Sequence, residues 1–297
     1  MNDRRIVNVA SVPQRSPFRY PGGKTWLIPQ IRRWMRSLDF RAELFLEPFA
    51  GGGIVSLTVA FEGFAEHVII VEIDPDISAV WKTITSVNYQ NLSDRICRFE
   101  VTKENVQREL SQTSTHVDDV AFRTILKNRM FHGGILAPGA SLMKHGENGK
   151  GLLSRWYPKT LADRINAIGR IREKFTVIEG DGITQIRKHY QSRKAAFFID
   201  PPYTADGKKA GKRLYRYNEL DHKDLFDAAR TIQGNFLMTY DDAQGVRELA
   251  QTRGFDTEII VMKNTHHAKI TELLIGNNLG WTRVPEGGYI QQEFAFD

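Results

Sequence analysis

Short apolar runs that end abruptly on an acid recur along this chain, and "HVIIVEID" (67–74) and "FFID" (197–200) are the clearest of them. A run that is apolar at every position, not at alternate ones, suits a strand covered on both faces, as in a parallel sheet flanked by helices. Strands are expected on this ground at 44–48, 67–74, 175–178, 195–199, 235–239, 257–262 and 270–275. Between them lie segments with apolar residues at helical spacing: 26–38, where Pro29 sets the start, a stretch from Ile54, then 77–87, 184–190, 221–232 and 244–251. Strand and helix in alternation predict an α/β fold, a Rossmann-like doubly wound sheet.

The rhythm breaks between 101 and 170. Helical pieces at 103–110, 120–130 and 161–172 bracket "FHGGILAPGASLMKHGENGKGLLSRWYPKT", which has no α/β alternation. This predicts a small, mainly helical inserted domain carrying a loop or β-hairpin, and hence a polar tail at 1–16, a first half at 17–100, the insert at 101–170 and a second half at 171–297.

At 297 residues the chain can bury a full core. It has no run of 18 apolar residues, and "MNDRRIVNVASVPQRS" lacks the apolar centre of a signal peptide, so a cytoplasmic protein with no membrane partner is expected. A single cysteine, Cys97, excludes an internal disulfide and a cysteine-based zinc site. The formal charge of +6 is unevenly spread. Residues 187–216 hold nine Lys/Arg against Asp200 and Asp206, and residues 122–164 hold eight against Glu147 and Asp163. Two basic stretches, one around a strand end, favour a polyanionic partner.

Three motifs carry chemistry. In "FLEPFAGGGIVSL" a strand runs into Gly51-Gly52-Gly53 and then a helix, a turn at which a ligand can approach the backbone. Glu72 follows Gly51 by 21 residues at the end of the next strand, where an acid can accept hydrogen bonds from ribose hydroxyls. The pair predicts an adenosine-containing cofactor. A dinucleotide fingerprint would need glycine at Ser56, which weakens the dehydrogenase alternative. In "FRYPGGKTWL", Lys24 could reach a carboxylate and Tyr20 could pack on an apolar part of an amino-acid-like ligand. A phosphate-binding loop would need glycine where Phe18 stands.

The third motif is Asp200-Pro201-Pro202-Tyr203, a strand stopped by two prolines with its carboxylate at the carboxyl end. The exocyclic amino group of adenine or cytosine is a poor nucleophile because its lone pair is delocalised. Asp200 and a carbonyl of the Pro-Pro turn could accept its hydrogens, while Tyr203 offers a face for stacking.

With these motifs in this order, the chain resembles the Dam-like (D12 class) adenine-N6 DNA methyltransferases over about residues 18–277. The resemblance implies S-adenosylmethionine as cofactor and S-adenosylhomocysteine as product, with no metal. It implies that Tyr20 and Lys24 hold the methionine part, that Pro48, Phe49, Gly51 and Gly53 form the pocket, that Glu72 takes the ribose and that Asp181 takes the adenine amino group. Asp200 would border both cofactor and target base, with Pro201, Pro202 and Tyr203 completing the catalytic motif. "NRMFHGG" (128–134) is similar to the family's lead-in to a recognition hairpin, so Asn128 and Arg129 join Lys144, Lys150 and Arg155 as candidate DNA contacts. The implied partner is double-stranded DNA, the implied state a monomer, and a cognate restriction endonuclease is a candidate second partner. Methylation of RNA adenine or of cytosine N4 is the enzymatic alternative. A non-catalytic DNA-binding module is the other, although Asp200, Glu72 and Gly51, whose loss would mark one, are all present.

Overall fold

A computed structural model describes residues 12–20, 22–144, 146, 149–202, 219–263 and 269–284. Seven strands form one sheet in the order β3-β2-β1-β4-β5-β7-β6. They are β1 (Ala42–Glu47), β2 (Ala65–Glu72), β3 (Phe175–Glu179), β4 (Ala195–Ile199), β5 (Asn235–Asp241), β6 (Asp256–Lys263) and β7 (Lys269–Gly276). The first five run parallel, and β7 inserts antiparallel between β5 and β6. The chain reverses direction across the sheet at β1 and β4, the kind of position at which open α/β sheets bind ligands beyond the carboxyl ends of their strands.

Helices cover both faces. They are α1 (Ile28–Ser37), α2 (Ile54–Phe61), α3 (Pro75–Ile84), α4 (Tyr89–Arg98), α5 (Lys103–Leu110), α6 (Val117–Met130), α7 (Pro158–Arg170), α8 (Gly182–His189), α9 (His222–Thr231) and α10 (Gln244–Thr252). Several starts follow from local chemistry. Asp74 caps α3 by accepting from Asp76 N at 2.9 Å, with Pro75 in the first turn, and Asp221 caps α9 through Asp224 N at 3.0 Å. The expected helices leave out α4, although Tyr89, Leu92 and Ile96 stand at helical spacing on an otherwise polar segment and pack on one core.

Alternation along each strand sends neighbours into two different cores. Phe45, Ile70, Phe198, Leu237 and Leu274 face α1, α2 and α3, whereas Leu46, Ile69, Phe197, Met238 and Ile275 face α8, α9 and α10. Phe197 and Phe198 are both fully buried. Burial of each contributes roughly 1.5–3 kcal/mol, so β4 is gripped from above and below and its terminal residue is placed rigidly.

The segment expected as an insert has no strands of the sheet. The apolar faces of α6 and α7, with Phe122, Ile125, Leu161 and Ile165, join the core on the α1 side. In the stretch expected to carry a loop or β-hairpin, the described residues hold a 3-10 turn, Gly151–Arg155. Among the described residues of this segment, strand-like pairing is limited to one antiparallel bridge, Phe131 with Leu142. Gly133, Gly134 and Gly139 all have positive φ in this stretch, a backbone that curls away from a continuous ladder. Among the described residues no helix is long and apolar enough to cross a membrane.

Candidate active site

The same alternation builds a row of polar side chains along one edge of the sheet. Counting two residues on from the α1-side core positions gives Glu72 on β2, Glu47 on β1, Asp200 beyond β4 and Thr239 on β5; two residues back from Leu274 on β7 gives Glu272. Asp241, also on that face of β5, pairs in register with Glu272. Sequence reasoning found Glu72 and Asp200 and missed Glu47, Thr239 and Glu272. Their signal is position alone, since each is a polar residue on the core-facing parity of a strand.

Lys24 lies against this row. It opens a short 3-10 turn, Lys24–Leu27, and is 4% exposed. Its Nζ sits 2.9 Å from Asp200 Oδ1 and 3.8 Å from Glu272 Oε2, and it donates to Gly22 O at 3.1 Å. Thr239 Oγ1 donates to the same Asp200 Oδ1 at 2.7 Å. Burial pulls the lysine pKa down, but attraction to Asp200 and Glu272 and the hydrogen bond to Asp200 outweigh it, and the net direction is up. The role expected for Lys24, reaching a ligand carboxylate, is therefore preceded by another: it fixes the Asp200 carboxylate.

Beside them, Glu47 is buried, and Ser56 N donates to its Oε2 at 2.9 Å. Burial raises its pKa to about 8; the Ser56 bonds and Lys24 oppose the rise and Asp200 adds to it. At neutral pH Glu47 is mostly a neutral acid. Among the described residues, Asp200, Asp241 and Glu272 all lie around Lys24.

The glycine turn is packed by protein as well as presented to the edge. Gly51 and Gly53 have φ of 47° and 60°. A Cβ on Gly51 would lie 2.5 Å from the Tyr20 ring, and one on Gly53 would lie 2.7 Å from the Trp81 ring. Glycine is needed at these two positions because aromatic side chains of the chain itself close on the backbone there. Trp81 Nε1 also donates to Gly51 O at 3.0 Å. Glu72 ties the turn to β2: its Oε2 accepts from Gly51 N and its Oε1 from Asp74 N, both at 2.9 Å. Burial raises its pKa to about 7 against the pull of those backbone bonds. A carboxylate oxygen can accept two hydrogen bonds, so with three backbone donors on it Glu72 keeps capacity for a hydroxyl.

The other expected residues spread along the same edge or leave it. Pro48 is buried and Phe49 half-buried at the end of β1, and Gly182 abuts the Pro48 carbonyl closely enough to leave no room for a side chain. This brings the exposed Asp181 next to the end of β1, where it also caps α8 through Thr184 N at 2.6 Å. Pro201 is buried and Pro202 half-buried after β4. Tyr203 lies outside the described residues, as do the basic residues at 208–216 and the pair His266 and His267.

Lys144 and Lys150 are exposed and Arg155 is half-buried. Asn128 and Arg129, expected at DNA, turn inward instead. Asn128 is fully buried; it accepts from Arg19 N at 2.8 Å and donates to Arg19 O and Gly134 O at 2.9 and 2.8 Å. Arg129 is 5% exposed and donates to Pro17 O. Both sit on the last turn of α6, on the side that packs against the N-terminal segment.

Residues 20–124 match the model of the D12 class N6 adenine-specific DNA methyltransferase family. No curated protein matches. Among solved structures, a Pyrococcus horikoshii protein described as an RNA methyltransferase superposes with a TM-score of 0.40 at 15% identity, over 86% of this chain and 83% of that one. A Listeria monocytogenes protein described as a class I S-adenosylmethionine-dependent methyltransferase gives 0.36 at 11% identity, over 84% of this chain and 58% of that one. Over residues 20–124, then, the sequence of this α/β chain is similar to the D12 class N6 adenine-specific DNA methyltransferase family.

Proposed function

We propose that the chain methylates N6 of adenine in duplex DNA, the target base being flipped out of the helix into the edge beside Asp200. The observation that carries this reading is the placement of Asp200 at the carboxyl end of central strand β4, its Oδ1 held by Lys24 and Thr239, on the same edge as the glycine turn and Glu72. S-adenosylmethionine, when bound, supplies a methyl group made electrophilic by its sulfonium. Glu72 accepts from the ribose, Asp181 from the adenine amino group, and Tyr20 lies along the turn that Pro48, Phe49, Gly51 and Gly53 form.

Asp200 accepts a hydrogen bond from the target amino group and so favours the nitrogen geometry in which its lone pair can attack. As positive charge develops on that nitrogen, a carboxylate already fixed in place stabilises it without reorganising. Lys24 and Thr239 orient the carboxylate, and Pro201 and Pro202 stiffen the turn that follows. Residues 101–170 serve as the target-recognition insert, with the exposed Lys144 and Lys150 facing phosphate and Arg155 near them. The family match supports DNA over RNA.

The test supplies labelled S-adenosylmethionine with duplex DNA or single-stranded RNA, followed by digestion and mass spectrometry of the nucleosides. N6-methyladenine from the duplex is expected, with Asp200→Ala lowering kcat on the order of 10² or more while S-adenosylhomocysteine still binds. N4-methylcytosine, or product from RNA alone, moves the reading to the enzymatic alternative. DNA binding without methyl transfer leaves the non-catalytic module.

A further inference from the structure

The segment Ser16 to Tyr20 runs between the glycine turn and the helices of the expected insert, and it is fastened on both sides. On the turn side, Ser16 Oγ donates to Gly52 O at 2.6 Å, and the Tyr20 ring lies against Gly51 and Gly52. Phe18 adds a ring contact with Trp81 at 5.5 Å between centroids, and Trp81 itself donates to Gly51 O. On the insert side, side chains of α6 and α7 bond to the backbone of this segment. Asn128 takes both the N–H and the carbonyl of Arg19, Arg129 takes Pro17 O, and Arg164 Nη1 takes Ser16 O at 2.9 Å.

These fastenings are costly arrangements that surface contacts would not need. Arg129 is buried without a carboxylate partner among the described residues, and burial together with the nearby Arg164, Arg19 and Arg155 lowers its pKa to about 10. A cation held there against three others satisfies a backbone carbonyl that has no strand or helix partner. Asn128 spends its amide donors on two carbonyls and its oxygen on an N–H, which fits one geometry of the strap only. Its third partner, Gly134 O, belongs to the turn just after Phe131, where the single bridge to Leu142 begins. A Cβ on Gly134 would stand 2.7 Å from Arg19 O, so that turn docks directly on the strap.

We infer that Asn128, Arg129 and Arg164 are positioning residues for the glycine turn, acting through the strap from Ser16 to Tyr20, and are not readers of DNA. The turn is thereby mechanically joined to the root of the loop that follows α6. The inference rests on the proposed function only for the identity of the ligand at the turn; the mechanical link is independent of it.

Hydrogen–deuterium exchange on the whole protein tests the link without any ligand. Asn128→Ala removes three bonds, and Arg164→Met, which removes one bond to Ser16 O at a half-buried site, is the milder variant should the first fail to fold. In a folded variant, amides 51–57 are expected to exchange about tenfold faster or more, although they lie more than 70 residues away in sequence. Calorimetry with S-adenosylhomocysteine is expected to show affinity weakened roughly tenfold relative to wild type. Unchanged exchange across 51–57 in folded variants of both kinds overturns the inference. Faster exchange in a protein whose wild type binds no S-adenosylhomocysteine upholds the link and refutes the proposed function instead.

Discussion

Glu47→Gln should make the protein more stable at neutral and alkaline pH, by an amount that grows with pH. The buried Glu47 has its pKa raised from 4.5 to about 8, with burial as the main cause. The folded state therefore binds the proton more tightly than the unfolded chain, and between those two values stability falls as pH rises. Each unit is worth about 1.36 kcal/mol, so the full interval of 3.5 units corresponds to roughly 4–5 kcal/mol, and the part spent by pH 7 to roughly 3 kcal/mol. Glutamine imitates the neutral acid: its carbonyl can keep the 2.9 Å bond from Ser56 N, and it has no charge to desolvate. Wild type and variant should unfold at the same urea concentration near pH 4 and diverge above it, the variant gaining until about pH 8.5. Because other groups such as Glu72 also titrate in this range, the quantity to follow is the difference between the two proteins at each pH. A difference that is constant from pH 4 to 8.5 would refute the reasoning, since it would mean that Glu47 ionises alike in both states.

Lys24→Met should destabilise the protein by about 3–5 kcal/mol, because it removes the buried cation that Asp200 and Glu272 share; an unchanged urea midpoint would show that the lysine does not hold them. Glu72→Gln should weaken S-adenosylhomocysteine binding by about 1–3 kcal/mol in calorimetry. With the Glu72 pKa at about 7, wild-type affinity should also rise from pH 6 to 8, and the variant should lose that dependence. Gly51→Ala should cost about 1–3 kcal/mol, from its φ of 47° and from collision with Tyr20. Adding Tyr20→Ala should recover the steric part, and strict additivity in this double-mutant cycle would rule out the contact.

The helix–strand alternation was legible because it depends on one-dimensional signals. Apolar runs such as 67–72 and 195–199, the prolines at 29, 75 and 201, and the glycine turn each act within a few residues of themselves, and the predicted strand at 195–199 coincides with β4. The family pattern over residues 20–124 was readable for the same reason, as a set of short motifs at set spacings. Asn128 shows where this stops. In sequence it is a polar residue beside an arginine on a basic stretch, which suits a DNA contact; in the fold its amide is fully occupied by Arg19, 109 residues earlier, and by Gly134 O.

The sequence by itself thus determined which segments become strands and helices, and which of them end in chemistry-bearing residues. Only the tertiary structure decided which of those ends meet. Lys24 and Glu272 are 248 residues apart and meet, with Asp200 on the same lysine, because β7 enters the sheet antiparallel beside β5, which brings the start of β7, not its end, to the carboxyl edge. Strand order and direction are set by how two cores pack against both faces of the sheet, a sum of many weak long-range contacts that no local spacing encodes.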